Sequence, residues 1–106
     1  MSAREFMKDI LTQIAEKRIV PVVKLDRAED AAPLAAALME GGLPAAEVTF
    51  RTDAAEASIR EMVKIPGMLV GAGTVTNVEQ AKRAQDAGAA FLVTPGFSAK
   101  VTEFAV

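Results

Sequence analysis

Along 106 residues, helix-start signals and short β-branched runs alternate in a fixed order, and this alternation constrains the fold more than any other feature. Three times a side-chain acceptor is followed three positions later by Glu: Asp26/Glu29, Asp53/Glu56 and Thr76/Glu79. An acceptor at the N-cap satisfies an unpaired N–H of the first helical turn, and the Glu can reach back to the cap. The segments so opened stop at Gly41-Gly42, before Pro66-Gly67 and at Gly88, where glycine or proline ends helical backbone. Strands are predicted after each, over Ala46 to Phe50, Met68 to Ala72 and Phe91 to Thr94. An earlier run, Ile19 to Leu25, is a further strand, with Pro21 confined near its beginning because proline gives no ladder donor.

Phe6, Ile10 and Ile14, with Met7 and Leu11 beside them, form the stripe of an amphipathic helix ending near Lys17. Ser98 caps a last helix, of which Ala99 to Val106 follow. A βα repeat of roughly 22–25 residues implies a parallel sheet with right-handed crossovers. The fold class is therefore α/β: an N-terminal helix plus four βα units, the last incomplete, in one domain over residues 1–106. Helices on one face would leave the other face uncovered and the edges unpaired, so a partner is expected. Two blocks, Ala37 to Gly42 and Ala84 to Ala89, look alike, although a helix-to-strand turn creates such likeness by itself.

Composition removes several chemistries. The chain has no Cys and no His, which excludes a thiolate nucleophile, a Ser/His/Asp triad, disulfides and the usual zinc or iron ligands. Only oxygen ligands for a hard cation remain, and no metal and no cofactor is expected. Net charge is -2 with Lys and Arg scattered, which argues against nucleic acid or an anionic membrane as partner. Arg4, Glu5, Lys8 and Asp9 interrupt the first segment, so it reads neither as a signal peptide nor as a membrane span, and cytoplasm is the default location.

The chemistry concentrates at strand ends. In Glu47-Val48-Thr49-Phe50-Arg51-Thr52 the period-two alternation sends Glu47, Thr49 and Arg51 to one face and Val48 and Phe50 to the other. Burying an acid and a base costs several kcal/mol unless they are paired, so a binding site explains this face better than structure does. In parallel α/β folds ligands gather at the carboxyl ends of strands, which here carry Lys24, Arg51-Thr52, Gly73-Thr74 and Pro95-Gly96-Phe97. Gly71-Ala72-Gly73-Thr74 would let an anionic ligand approach backbone amides, but it matches neither a dinucleotide fingerprint nor a P-loop.

Glu-Val-Thr-Phe-Arg-Thr at 47–52, Val-Gly-Ala-Gly-Thr-Val at 70–75 and Val-Thr-Pro-Gly-Phe at 93–97 resemble, in order and spacing, the KDPG/KHG aldolases. The resemblance covers nearly the whole chain from Ile19 onward. It implies a class I aldolase of the Entner–Doudoroff route, a trimeric (β/α)8 TIM barrel that forms a Schiff base with pyruvate. Such enzymes cleave 2-keto-3-deoxy-6-phosphogluconate to pyruvate and glyceraldehyde 3-phosphate, or the hydroxyglutarate analogue to pyruvate and glyoxylate. Carried over by motif, Glu47 is the general acid/base, Arg51 and Thr74 hold the pyruvyl carboxylate, and Pro95 shapes the pocket near the methyl group. The partner is then a small 2-keto acid.

The family's Schiff-base lysine lies on a sixth strand and its phosphate site on the seventh and eighth. Neither segment has a counterpart here, so the chain reads as the N-terminal half of the barrel. Lys24 is the only lysine near a predicted strand end, and its place on the first strand argues against a nucleophile. The competing reading is an engineered or self-assembling half-barrel scaffold with no catalytic activity. Either reading leaves a homo-oligomer or a complementing second half as partner. Blander readings stand beside the sharp ones: Glu47 and Arg51 as a structural ion pair, Thr74 as a turn residue, Pro95-Gly96 as a turn and Phe97 as core. The charged residues of the helices, such as Glu61 with Lys64, are read as a solvated face.

Overall fold

The computed structural model describes residues 2–106. Helix α1 (Ala3–Lys17) leads to strand β1 (Val22–Val23), a 3-10 turn (Ala28–Asp30), helix α2 (Ala31–Glu40) and strand β2 (Ala45–Thr49). Helix α3 (Ala55–Val63), strand β3 (Leu69–Gly73), helix α4 (Val78–Ala87) and helix α5 (Ala99–Ala105) complete the order. The strands pair in parallel as β1-β2-β3, with Val22 beside Glu47 and Glu47 beside Gly71. The α/β class and the parallel sense thus follow the sequence pattern.

Two strands differ from expectation. The run from Ile19 to Leu25 forms a ladder only over Val22–Val23. Pro21 has no N–H to give and contributes its carbonyl, which accepts from the Glu47 N–H at 2.8 Å. The fourth strand is reduced among the described residues to a parallel bridge between Ala72 and Leu92. Ala90 N–H donates to Val70 C=O and Val93 N–H to Ala72 C=O, both at 2.8 Å, so the segment lies along β3 without a ladder beyond it.

The helix starts are displaced from the predicted caps. At α2 the 3-10 turn winds directly into the helix, leaving Asp30 in helical backbone without a side-chain cap bond, while Asp26 pairs with Lys24 at 3.6 Å. At α3 the cap position is Ala54, again helical, because the chain enters from a turn in which Thr52 Oγ1 accepts from the Ala54 N–H. At α4 the cap is Asn77 and not Thr76: Asn77 Oδ1 accepts from the Gln80 N–H, and Gln80 Oε1 accepts from the Thr76 N–H, each at 2.8 Å. Ser98 caps α5 as expected, and Ser2 caps α1 by accepting from the Glu5 N–H, a signal of the same type that the periodicity of that helix overshadows.

The helix ends explain the two similar blocks. Gly42 and Gly88 both take left-handed backbone, at φ 82° and 101°, and the next residue's N–H turns back to the carbonyl five residues earlier, Leu43 to Leu38 and Ala89 to Ala84. This is the Schellman turn, and its register aligns Gly42, not Gly41, with Gly88. The likeness is local turn chemistry.

Helices α2 to α5 share one core with the sheet face bearing Val48, Val70 and Ala72, where Ile59 and Met62 of α3 are fully buried. At about 25 cal/mol per Å² this burial supplies most of the fold's stabilisation. The opposite face is not bare. Ile10 of α1 packs on Ala45 and Leu69, the first residues of β2 and β3, with Ile14, Val20 and Phe91 around them. The amphipathic stripe has found the amino-terminal half of that face, because only there does the sheet present apolar side chains wide enough to cover. Among the described residues no helix is long and apolar enough to cross a membrane.

Candidate active site

Parallel pairing puts neighbouring partners on the same side of a sheet, so Glu47 and Gly71, and Thr49 and Gly73, share the face that α1 only half covers. Glu47 stands one pleat beyond Ala45, the residue on which α1 rests. Its carboxylate therefore lies at the boundary between an apolar plug and an open rim. Burial raises its pKa above the ordinary carboxylate value of 4.5, and the positive charge of Arg51 opposes the rise. Among the described residues Glu47 forms no ion pair, so the structural Glu47–Arg51 bridge does not exist.

Arg51 follows the end of β2 and is exposed. Its loop is pinned on both sides: Thr49 Oγ1 donates to Val23 C=O at 3.3 Å, and Thr52 Oγ1 donates to Leu25 C=O. These two hydroxyl bonds fix the turn that carries Arg51. Parity assigned Thr49 to the same face as Glu47, and its hydroxyl is spent on β1 and is buried. Thr74, one residue past β3, adopts left-handed backbone at φ 53°. A β-branched residue rarely sits there, at a cost on the order of 1–3 kcal/mol, and such outliers gather at functional sites. Val75 N–H donates to Val93 C=O at 3.2 Å and ties this turn to the next strand segment.

Pro95 is exposed on that segment's far end. Phe97, expected in the core, is 87% exposed instead, because it lies in the loop before α5 with no element over it. Lys24 is exposed and faces Asp26, which leaves it no part in a desolvated site. The charged helix residues are solvated as expected: Lys64 Nζ meets Glu61 Oε1 at 3.0 Å.

Sequence reasoning missed two features. Phe91 lies on Gly71, so that its ring and not a ligand occupies the space the glycine leaves. An open-sided cavity of about 570 Å³ runs between α1, Phe91 and α5, and among the described residues Glu47 is the only ionisable one that lines it. Alternating small and large residues on the β3 face and its neighbour, Gly71 against Phe91, are the one signal that pointed to it. Among the described residues no cluster of acidic side chains could hold a metal ion.

The structure brings the charge of Arg51 to bear on Glu47, whereas Arg51, Thr74 and Pro95 do not line the cavity that Glu47 borders. A family profile described as KDPG and KHG aldolase matches residues 10–106. The 2-dehydro-3-deoxy-phosphogluconate aldolase of Treponema pallidum is 51% identical over 96 residues, which are 90% of this chain and 46% of the relative. The crystal structure of the Zymomonas mobilis ZM4 aldolase with 3-phosphoglycerate superposes with a TM-score of 0.86 at 41% identity, covering 93% of this chain and 47% of that one. A Legionella pneumophila KDPG aldolase with pyruvate captured as a covalent carbinolamine aligns with a TM-score of 0.73 at 38% identity, over 77% of this chain and 40% of the other. The chain spans about half the length of the curated relatives it matches. The motifs, the parallel α/β fold and these matches together make the chain a member of the KDPG and KHG aldolase family.

Proposed function

We propose that this chain carries the acid–base half of a class I pyruvate aldolase site within a half-barrel of four βα units. Glu47 takes the proton from the aldol hydroxyl, the bond between that carbon and the carbon beside the carbonyl breaks, and the electron pair moves toward the former carbonyl carbon. The same carboxyl then returns the proton to the resulting enamine carbon, which becomes the methyl group of pyruvate. Arg51 grips the pyruvyl carboxylate with its fork of donors, Thr74 adds a hydroxyl, and Pro95 closes the pocket beside the methyl. The electron sink is a lysine imine outside this set. Pyruvate held as a carbinolamine in the Legionella relative is the adduct that precedes such an imine.

The carrying observation is the unpaired carboxyl of Glu47, raised in pKa by burial, above an apolar cavity and close enough to feel the charge of Arg51 in the turn after β2. The substrate class is a small 2-keto acid. The exposed apolar residues of α1, Phe6, Met7 and Leu11, together with the unextended outer side of residues 90–93, favour a covering partner, a complementing half or a second copy. Sedimentation velocity separates these from a stable monomer.

The decisive experiment is exchange of the pyruvate methyl protons with deuterated water, followed by proton NMR on the chain joined to a complementing half. Glu47→Gln is expected to slow exchange about 100- to 10,000-fold while borohydride still traps pyruvate on a lysine. Undiminished exchange in that variant would remove Glu47 from the chemistry.

A further inference from the structure

We propose that Gly73 is a positioning residue for Glu47: the missing side chain is the berth in which the carboxylate lies. A Cβ built at Gly73 would fall on Glu47 Oε2, 2.7 Å from Cδ and 2.8 Å from Cγ, and all three of its nearest atoms belong to that one side chain. Backbone conformation does not demand glycine here. Gly42, Gly67 and Gly88 have positive φ, whereas Gly73 lies in regular strand, paired with Thr49. Glycine within a strand is otherwise unfavourable, since it loses more backbone freedom than any other residue and packs nothing. The position is therefore explained by what lies across it.

The obstructed atoms are the far end of a flexible side chain. A methyl group at position 73 need not unfold the sheet; it displaces the carboxylate toward solvent, away from the apolar boundary that α1 and Phe91 create. Gly71 does the corresponding service for a different occupant, the Phe91 ring, so the two glycines of β3 are two berths with separate tenants. The proposal rests on the reading of Glu47 as the acid/base, and it extends that reading to the residue that aims it.

Two measurements on the chain test it without turnover. The first is the carbon-13 NMR titration of the Glu47 carboxyl in the parent and in Gly73→Ala. The midpoint, elevated in the parent, is expected to fall toward the ordinary range as the carboxylate enters water; an unchanged midpoint in a folded Gly73→Ala protein overturns the proposal. The second is thermal unfolding of Gly73→Ala with and without Glu47→Ala. With Glu47 present the added methyl is expected to leave the midpoint unchanged or lower it, and with Glu47→Ala to raise it by a few degrees, because alanine loses less chain entropy than glycine. An equal drop in both backgrounds, or failure of the double variant to fold, overturns the proposal, since the glycine would then serve the backbone. Glu47→Gln with full exchange but an intact Gly73 effect would sink the acid/base role alone.

Discussion

The two faces of one sheet are built to different rules. Toward α2 to α5 the strands present Val48, Val70 and Ala72, almost wholly buried against Ile59, Met62 and a row of alanines from α4. Toward α1 the same strands present Glu47, Thr49 and two glycines, of which Glu47 opens on a cavity. Alternation by one residue thus separates a close-packed apolar face from one that carries an acid and two glycines. The helix-side face is close-packed and uncharged. The other retains an unpaired acid, two side-chain gaps and a turn at Thr74 in unfavourable backbone, each a small loss of stability that the first face must offset.

The sharpest way to break this division is to damage the packed face. Ile59→Ala removes a fully buried side chain from the centre of the helix-side core and is expected to destabilise by about 2–5 kcal/mol in urea unfolding. While the variant remains folded, the titration of Glu47 should stay as in the parent; a shifted carboxyl would show that the faces are not independent.

A smaller effect of opposite sign is expected at the rim. Thr74→Gly relieves the left-handed backbone at φ 53° and should stabilise the chain by about 1 kcal/mol, the strain released less the added chain entropy of glycine. The same change should weaken 2-keto acid binding, read by isothermal titration on the complemented protein. A destabilised Thr74→Gly would mean that the hydroxyl serves the fold.

The smallest effect concerns pH. The folded-state pKa of Glu47 lies above its unfolded value because burial disfavours the charged form. The folded state therefore binds the proton more tightly, and the group's contribution to stability is fully present below about pH 4.5 and is lost as pH rises through the folded value. Relative to Glu47→Gln, the parent should lose stability across that window and run parallel above it. A parent that instead gains over the window would place the carboxylate in a paired, solvated setting.

Much of this architecture was legible in the residues. Short apolar runs located β2 and β3 within a residue or two, the apolar stripe fixed α1, and Gly42 and Gly88 marked helix ends because only glycine takes that backbone cheaply. The helix starts were less legible. Asp26 and Asp53 satisfy the capping pattern, yet both helices are entered from turns already in helical backbone, and a local motif carries no information about how the chain arrives. Phe97 looked like core because it is aromatic, but burial depends on what lies above a loop.

The candidate site divides the same way. Sequence alone determined that Glu47 emerges on the opposite side of β2 from Val48, since alternation is a property of extended backbone, and it determined which motifs occupy the strand ends. Only the tertiary structure decided that α1 seals one half of that face, that Arg51 does not pair with the acid, and that Gly73 lies beneath the carboxylate. The reason is physical: desolvation and steric fit depend on atoms brought together from β2, β3 and the distant helix α1, and no local pattern encodes that distance.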